Sequence, residues 1–497
     1  MTDDNTTAKS KISLTRFIIP LVIALIAFGW FKGYINGGTF KNLLAFIFIL
    51  GAAVVIHEFG HFIVAKMLGI RVETFSVGFG PRVWGRKWGT TDYRLSAIPL
   101  GGYVKLGGDE SNAPIEGEGA SDIPVEEQFN LRPRWQKFLV AVAGPVMNIL
   151  TALTIPFIGG LIYGVPVPPA PIVKEIKQGG AAEVAGMRVG DRVVSFNGVE
   201  NPKWDRIRGD VLLSPEKPLP VIVERDGQRV SLTLTPAKRV ESGEVMGEMG
   251  FQPDYGELPI VVAGVSQDSP AAQSGLQRGD RIISIGGEAV GSSQQIVDFI
   301  GAHPADPIQF VIERGGQRKE ITATGRMAGG KLGLSPAEEL PREHVGVLAT
   351  ARHAWDFNVE IMRLTGKALG QLFSGERSAR NTVSGPLGIY DAASNAVNEA
   401  GWDGLFSMLG FLSLSLGVFN LLPIPVLDGG AIFLLLVEAV LALGGWKLSM
   451  RVRERIQQVG FVMLLLLMGF VITNDLIKKV SRNPEEAKPP AATEQQK

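Results

Sequence analysis

Apolar positions along this chain gather into long runs near both ends, and the stretch between them alternates as a water-exposed protein does. Residues 42–68, 138–164, 404–427 and 459–473 are nearly uninterrupted in hydrocarbon side chains. At about 1.5 Å of rise per residue, the first of these runs is long enough to cross a hydrocarbon core of about 30 Å. An earlier run, "FIIPLVIALIAFGWF" (17–31), follows Lys9, Lys11 and Arg16, and no small-x-small cleavage site comes after it. It is therefore expected to remain as an anchor. The run at 404–427 should stop as a helix near residue 422, because Pro423 and Pro425 lack an amide donor. "AIFLLLVEAVLALGG" (431–445) contains Glu438 and reads as a helix at the interface or packed on the bundle.

Charge orients these segments. Arg71, Arg82, Arg86, Lys87, Arg94, Lys105, Arg132, Arg134 and Lys137 lie between the second and third runs, and Lys447, Arg451, Arg453 and Arg455 precede the last. Positive loops stay cytoplasmic, so both regions are expected inside and the 165–403 insert outside. The N-terminus is then cytoplasmic, although Lys478, Lys479 and Arg482 oppose an external C-terminus.

The insert repeats itself. "AAEVAGMRVGDRVVSFNG" (181–198) realigns on "AAQSGLQRGDRIISIGG" (271–287), and each copy is followed by two alternating runs around Asp226-Gly227 or Gly315-Gly316. Such turns mark β-hairpins. Two copies are too few for a solenoid, so each reads as a small β-rich domain. The motif resembles PDZ domains, and "GEMGF" (247–251) and "GKLGL" (330–334) resemble their carboxylate-holding loop. The resemblance makes Gly247, Met249, Gly250, Phe251, Leu332, Gly333 and Leu334 the candidate peptide-binding positions, with C-terminal peptides as possible ligands. Plain space-filling domains are the alternative.

Composition then narrows the chemistry. The 497 residues carry a formal net charge of zero, which gives no support for nucleic-acid binding through bulk charge. There is no cysteine, so a metal would have to be held by His, Asp or Glu. Two of only five histidines, His57 and His61, sit four apart inside an apolar run, with Glu58 between them. On a helix both imidazoles share one face, and H-E-x-x-H supplies two metal ligands and a general base. Ionised side chains in mid-membrane cost at least ~2.5–3.5 kcal/mol each on insertion scales, and a metal site explains why that cost is tolerated. A catalytic zinc site needs a third protein ligand. His303, His344 and His353 fall in the outward insert, whereas Asp428, in "NLLPIPVLDGG" (420–430), should reach the cytoplasmic half at a depth similar to that of His57. A plain turn residue is the alternative for Asp428.

Taken together, "HEFGH", the paired PDZ-type repeats and "NLLPIPVLDGG" resemble the site-2 protease family of intramembrane zinc metalloproteases, in its bacterial RseP type, over roughly residues 42–478. The resemblance implies one Zn²⁺ per chain on His57, His61 and Asp428, with Glu58 activating water. It implies substrate contacts from Asn420 and from Asn148 in "AGPVMN" (143–148). It also implies a re-entrant β-element within 71–108, whose strand near Phe75, Ser76, Val77, Gly78 and Phe79 is expected to pair with an unwound substrate.

The fold class expected is therefore a multi-pass α-helical membrane protein with a re-entrant β-element and two extracytoplasmic PDZ domains. Its parts are a cytoplasmic tail (1–16), an extra transmembrane segment (17–35), the motif helix (42–68), a cytoplasmic or re-entrant β region (69–137) and a helix (138–164). PDZ domains (165–252 and 253–336) and an amphipathic connector (337–403) follow. The chain then continues with a helix (404–430), an interfacial helix and loop (431–456), a last helix (457–475) and a disordered tail (481–497). The family usually starts close to its zinc-binding helix, so the 17–31 segment is a departure. The function implied is endoproteolysis of pre-trimmed single-pass proteins in a bacterial inner membrane, such as an anti-sigma factor or remnant signal peptides. The PDZ pair would gate access from the periplasm. A PDZ scaffold with a decayed site and a metal transporter are the rival readings.

Overall fold

The structure is a computed structural model. It describes residues 37–482 except 110–122, 242–243, 255–257, 267–268, 305, 326, 328–329, 377, 379–384 and 447–448. The expected anchor at 17–31 and nearly all of the expected tail lie outside the described residues. The chain divides into two units. One holds the described residues up to Ala152 together with Leu405–Met463, and the other holds Leu153–Gly404 with the residues from Leu464 onward.

Among the described residues, four helices are long and apolar enough to cross a bilayer, and they make this a multi-pass membrane protein with several β-sheet regions. They are α1 (Gly37–Met67), α2 (Arg134–Tyr163), the C-terminal part of Pro386–Asn420 and most of Met450–Arg482. Leu44, Phe48, Leu150, Leu466 and Phe470 point outward from them, as lipid-facing side chains do. Helix Pro386–Asn420 is broken at Gly401, whose φ of 58° leaves the helical region, so the expected connector and the fourth run share one element. It ends at Asn420, two residues before the limit its prolines predict.

In the first unit, α1 and α2 cross closely. A Cβ on Gly60 would collide with the backbone of Ala143, and one on Gly417, in the helix Pro386–Asn420, would meet Pro145 O of α2 at 2.9 Å. Small residues at such crossings let backbones approach where no water drives association. Strands β1 (Val72–Trp88) and β2 (Thr91–Leu106) form a sheet of their own that packs against α1. This sheet is folded on itself. Thr74–Val77 face Lys105–Gly102 on one side and Asp92–Leu95 on the other, while Arg82–Trp88 continue outward against Ser96–Thr91. Ala65, Ile70, Val72, Val104, Leu106 and Val140 form the buried seam between sheet and helices.

In the second unit, two six-stranded sheets share one order. The first runs Phe251–Asp254, Ala170–Ile176, Arg192–Phe196, Leu219–Arg225, Gln228–Leu234. The second runs Leu334–Glu338, Ile260–Val265, Arg281–Ile285, Ile308–Arg314, Gln317–Ala323. Each has a two-residue strand paired to its middle member and its own core, centred on Phe196 and Phe310. The repeated Gly-Asp-Arg has a structural use. Asp191 and Asp280, both about 1% exposed at the side chain, each take a two-pronged grip from an arginine on the following hairpin, Arg225 and Arg314.

Candidate metal centre

His57 and His61 project from one face of α1, and Asp428 opens helix α3 (Asp428–Leu443) after the proline-containing turn. That turn is tight, and Val426 is held at a φ of 84°, a region that β-branched residues rarely enter. The three ligand atoms lie within 4.8 Å of one another and form the group that can hold a metal among the described residues. His57 Nε2 is 2.9 Å and His61 Nε2 3.5 Å from Asp428 Oδ2, and the two Nε2 atoms are 3.3 Å apart. Ligands at about 2.0–2.2 Å around tetrahedral zinc stand roughly 3.3–3.6 Å from one another; the two separations that involve His61 match this, and His57 and Asp428 stand closer, at hydrogen-bond distance.

The surroundings support the same fit. His61 Nδ1 donates to Val140 O at 2.7 Å, which leaves the Nε2 lone pair facing the other ligands. A Cβ on Gly144 would fall within contact distance of His61 Nε2 and 2.8 Å from His57 Nε2. Gly144 thus keeps clear the space where the three ligands converge. Neither Val140 O nor Gly144 was singled out as a site residue in the sequence. A backbone carbonyl leaves no signature there, and Gly144 was visible only as part of "AGPVMN".

The remaining candidates divide by position. Glu58 is not one of the three grouped ligands, and its Oε2 accepts the Val104 amide of β2 at 3.1 Å. Asn420 Nδ2 is 3.4 Å from His57 Nε2, and Asn148 Nδ2 is 3.3 Å from His57 Nδ1, so both asparagines adjoin the metal ligands. Phe75 packs on Phe62 with ring centroids 5.1 Å apart, and Ser76 is fully buried against Ser96. Gly78 takes a φ of 91° beside the Ile98 carbonyl, and Phe79, partly exposed, stacks on Tyr103.

The repeat-loop candidates lie in the other unit. Gly250 and Gly333 both adopt positive φ, at 71° and 77°, at the entrance to the edge strand of their sheet. Phe251 and Leu332 are buried in the two cores, and Leu334 pairs with Val265. Gly247 is pressed against the Val211 carbonyl of the helix Trp204–Leu212, close to Met249, which packs on the first core.

Comparison with known proteins follows the same lines. Residues 45–467 match peptidase family M50. The chain is 33% identical over 455 residues to "Regulator of sigma-E protease RseP" of Salmonella typhimurium and 32% identical over 455 residues to the protein of that name from Escherichia coli, covering 87% of this chain and 98% of each relative. "Protease RseP" of Yersinia pestis is 32% identical over 460 residues, covering 87% of this chain and 98% of the relative. The chain that brings His57, His61 and Asp428 together belongs to peptidase family M50.

Proposed function

We propose that this protein is a zinc-dependent intramembrane endopeptidase whose substrates are single-pass transmembrane proteins already trimmed outside the membrane. The observation that carries the reading is the convergence of two imidazoles and one carboxylate, at close to tetrahedral spacing, around a gap guarded by Gly144. Bound there, zinc supplies Lewis acidity that polarises a carbonyl and makes water a nucleophile near neutral pH. His57, His61 and Asp428 hold the ion. Glu58 takes the proton of the attacking water and returns it to the leaving amine. Its bond to Val104 N–H aims the carboxylate while leaving the second oxygen for that exchange. Asn420, whose amide adjoins His57, holds the substrate carbonyl in this reading.

A transmembrane helix must unwind before it can be cut, and its freed amides then need partners in lipid. The sheet β1–β2 offers them as a re-entrant element. Thr74–Val77 have partners on both sides, so the strand favoured here as the receiver is the neighbouring Gly102–Leu106. Among the described residues, Gly102–Leu106 has a strand partner on one side only and carries the Val104 amide held by Glu58. An extended substrate added there lies beside the general base.

The paired sheets of the second unit read as PDZ domains on the periplasmic side of a bacterial inner membrane. Their common strand order and the glycine turn before each edge strand support this. They exclude substrates with bulky extracytoplasmic parts or dock newly exposed C-termini. Substituting the turns at Gly250 and Gly333 separates the two modes, since a size filter survives the change. The relatives' names point to regulation of a sigma factor, and we take an anti-sigma factor or a remnant signal peptide as the substrate to try first.

Glu58→Gln tests the core of the reading, with cleavage of a model transmembrane substrate and bound zinc measured on one preparation. Cleavage lost with zinc retained is the expected result. Cleavage kept removes Glu58 as the base, and a parent protein without zinc removes the metal.

A further inference from the structure

Along α2, positions 140, 144 and 148 form one stripe facing the centre, as spacing by four on a helix requires. Val140 contributes the carbonyl that fixes His61, and Gly144 contributes the empty space. Asn148 completes the stripe. It is fully buried, and its amide lies against His57 on the ring nitrogen remote from Asp428. Gly417 closes the position from behind, since a Cβ there would lie 3.2 Å from Asn148 Cβ. Walled in this way, the side chain presents no surface to a substrate.

The hydrogen-bond inventory of the amide is incomplete. Nδ2 is 3.3 Å from His57 Nδ1, and Oδ1 is buried with no partner. With Nδ2 as the donor, Nδ1 must be the accepting nitrogen of the ring, which puts the imidazole proton on Nε2. A metal at Nε2 demands the opposite tautomer, with the proton on Nδ1 and the lone pair on Nε2. A half-turn of the amide exchanges its two ends at almost no steric cost. Oδ1 then accepts from Nδ1–H.

We infer that Asn148 is a positioning residue of the metal centre, its amide oxygen holding the proton of His57 on Nδ1 so that Nε2 is free to bind the ion. The inference rests on the metal reading of the site and adds to it. The two histidines are oriented by the same helix in two ways, His61 by a backbone carbonyl and His57 by a side chain. Only the second can be removed by substitution.

The experiment uses the full-length protein in lipid nanodiscs and measures its zinc dissociation constant by competition with a chelator. Asn148→Leu keeps the volume and removes the acceptor, and zinc binding should weaken about 10–100-fold. Asn148→Asp keeps an acceptor oxygen in place and builds a carboxylate–histidine–metal relay, so binding should stay within about threefold of the parent. A role in packing alone predicts a different pattern, with the melting temperature of the chelator-treated protein reduced and zinc affinity untouched. Leucine binding zinc as tightly as the parent overturns the inference, and so does aspartate binding as weakly as leucine. If N148L does not fold, N148A replaces it with the same expected weakening, and parent-like affinity in N148A is equally fatal. A parent that binds no zinc removes the metal reading itself and this inference with it.

Discussion

Acids that are buried or half-buried occur in both units, and they are answered differently. In the second unit, Asp210 is fully buried and receives Arg206 and Arg363 at 3.0 Å and Lys367 at 3.1 Å. Asp191 and Asp280 each have an arginine seated on both oxygens. In the first unit, Glu438 has Arg134 and Arg453. Asp428 instead faces two imidazoles whose ring nitrogens also face each other. Buried charge is tolerated only when it is paired or bound to metal. An acid fully matched by guanidinium or ammonium groups is therefore structural. One offered only two imidazoles at close to tetrahedral spacing is waiting for a cation.

Replacing Asp428 breaks this comparison with the largest effect. Asp428→Asn keeps the shape and removes the anionic ligand, so bound zinc should fall below about a tenth of the parent level, and proteolysis with it by at least about 10³-fold. Metal analysis beside substrate cleavage checks both. An asparagine variant that holds zinc normally returns Asp428 to the class of structural acids.

Gly144→Ala comes next. The added methyl enters the space shared by His57 and His61 Nε2, and moving ligands by a fraction of an ångström should cost about a hundredfold in cleavage. Zinc affinity should fall while thermal stability of the chelator-treated protein changes little. Unchanged zinc binding in G144A would mean that the ion sits away from the gap that this glycine keeps open.

Asp210→Asn leaves the metal alone and attacks the other unit. Asp210 joins the helix Trp204–Leu212 to the long helix Val347–Phe373 through Arg363 and Lys367, beside the bond from Gln371 to Leu213 O. Breaking one side of such a buried network should destabilise the unit by roughly 2–4 kcal/mol, with zinc content unchanged. The same pair sets a pH dependence. Burial alone would raise the Asp210 carboxyl, but the hydrogen bond from Lys367 and the charges of Lys367, Arg206 and Arg363 outweigh it and hold the group below the ordinary carboxylate value. The unfolded chain then binds a proton at higher pH than the folded one. Its contribution is complete above about pH 5 and is lost as pH falls below about 4. Melting curves of parent and D210N should converge in acid, and parallel curves down to pH 3 would contradict the assignment.

The parts of the molecule that the sequence made legible are those carried by local pattern. Apolar runs marked the spanning helices, H-E-x-x-H put two ligands on one helix face, and the repeated Gly-Asp-Arg announced two like domains. Asp428 was within reach because an acid beside a proline-stopped apolar run is rare in this chain. What stayed hidden depends on distant segments meeting. The Val140 carbonyl and the Val104 amide are backbone groups that every residue has, so only the crossing of α2 and the packing of β2 against α1 give them a role. The second row of partners along Thr74–Val77 comes from the sheet folding on itself, and alternation in 71–108 cannot distinguish that from a simple hairpin. The amphipathic pattern after residue 337 marked a connector but not its attachment to Asp210, which joins residues about 150 positions apart.

The smallest effect is expected where the two sheets are most alike. Asp191 and Asp280 are gripped by arginines the same 34 positions downstream, which also reach the Gly186 and Gly275 carbonyls. Burial would raise the Asp191 carboxyl, but Arg225 and the Arg188 amide hold it below the usual range. The arginines stand near solvent, which screens part of their attraction. Asp191→Asn and Asp280→Asn should therefore each loosen one sheet, by less than D210N does, and leave zinc and cleavage of a short trimmed substrate unchanged. Hydrogen exchange should localise each effect, around Gly186 for the first variant and around Gly275 for the second. If either variant loosens both sheets, the repeats are not separate folding units. If D191N slows cleavage of the short substrate, the structural class of acids does not stop where the charge pairing says it does.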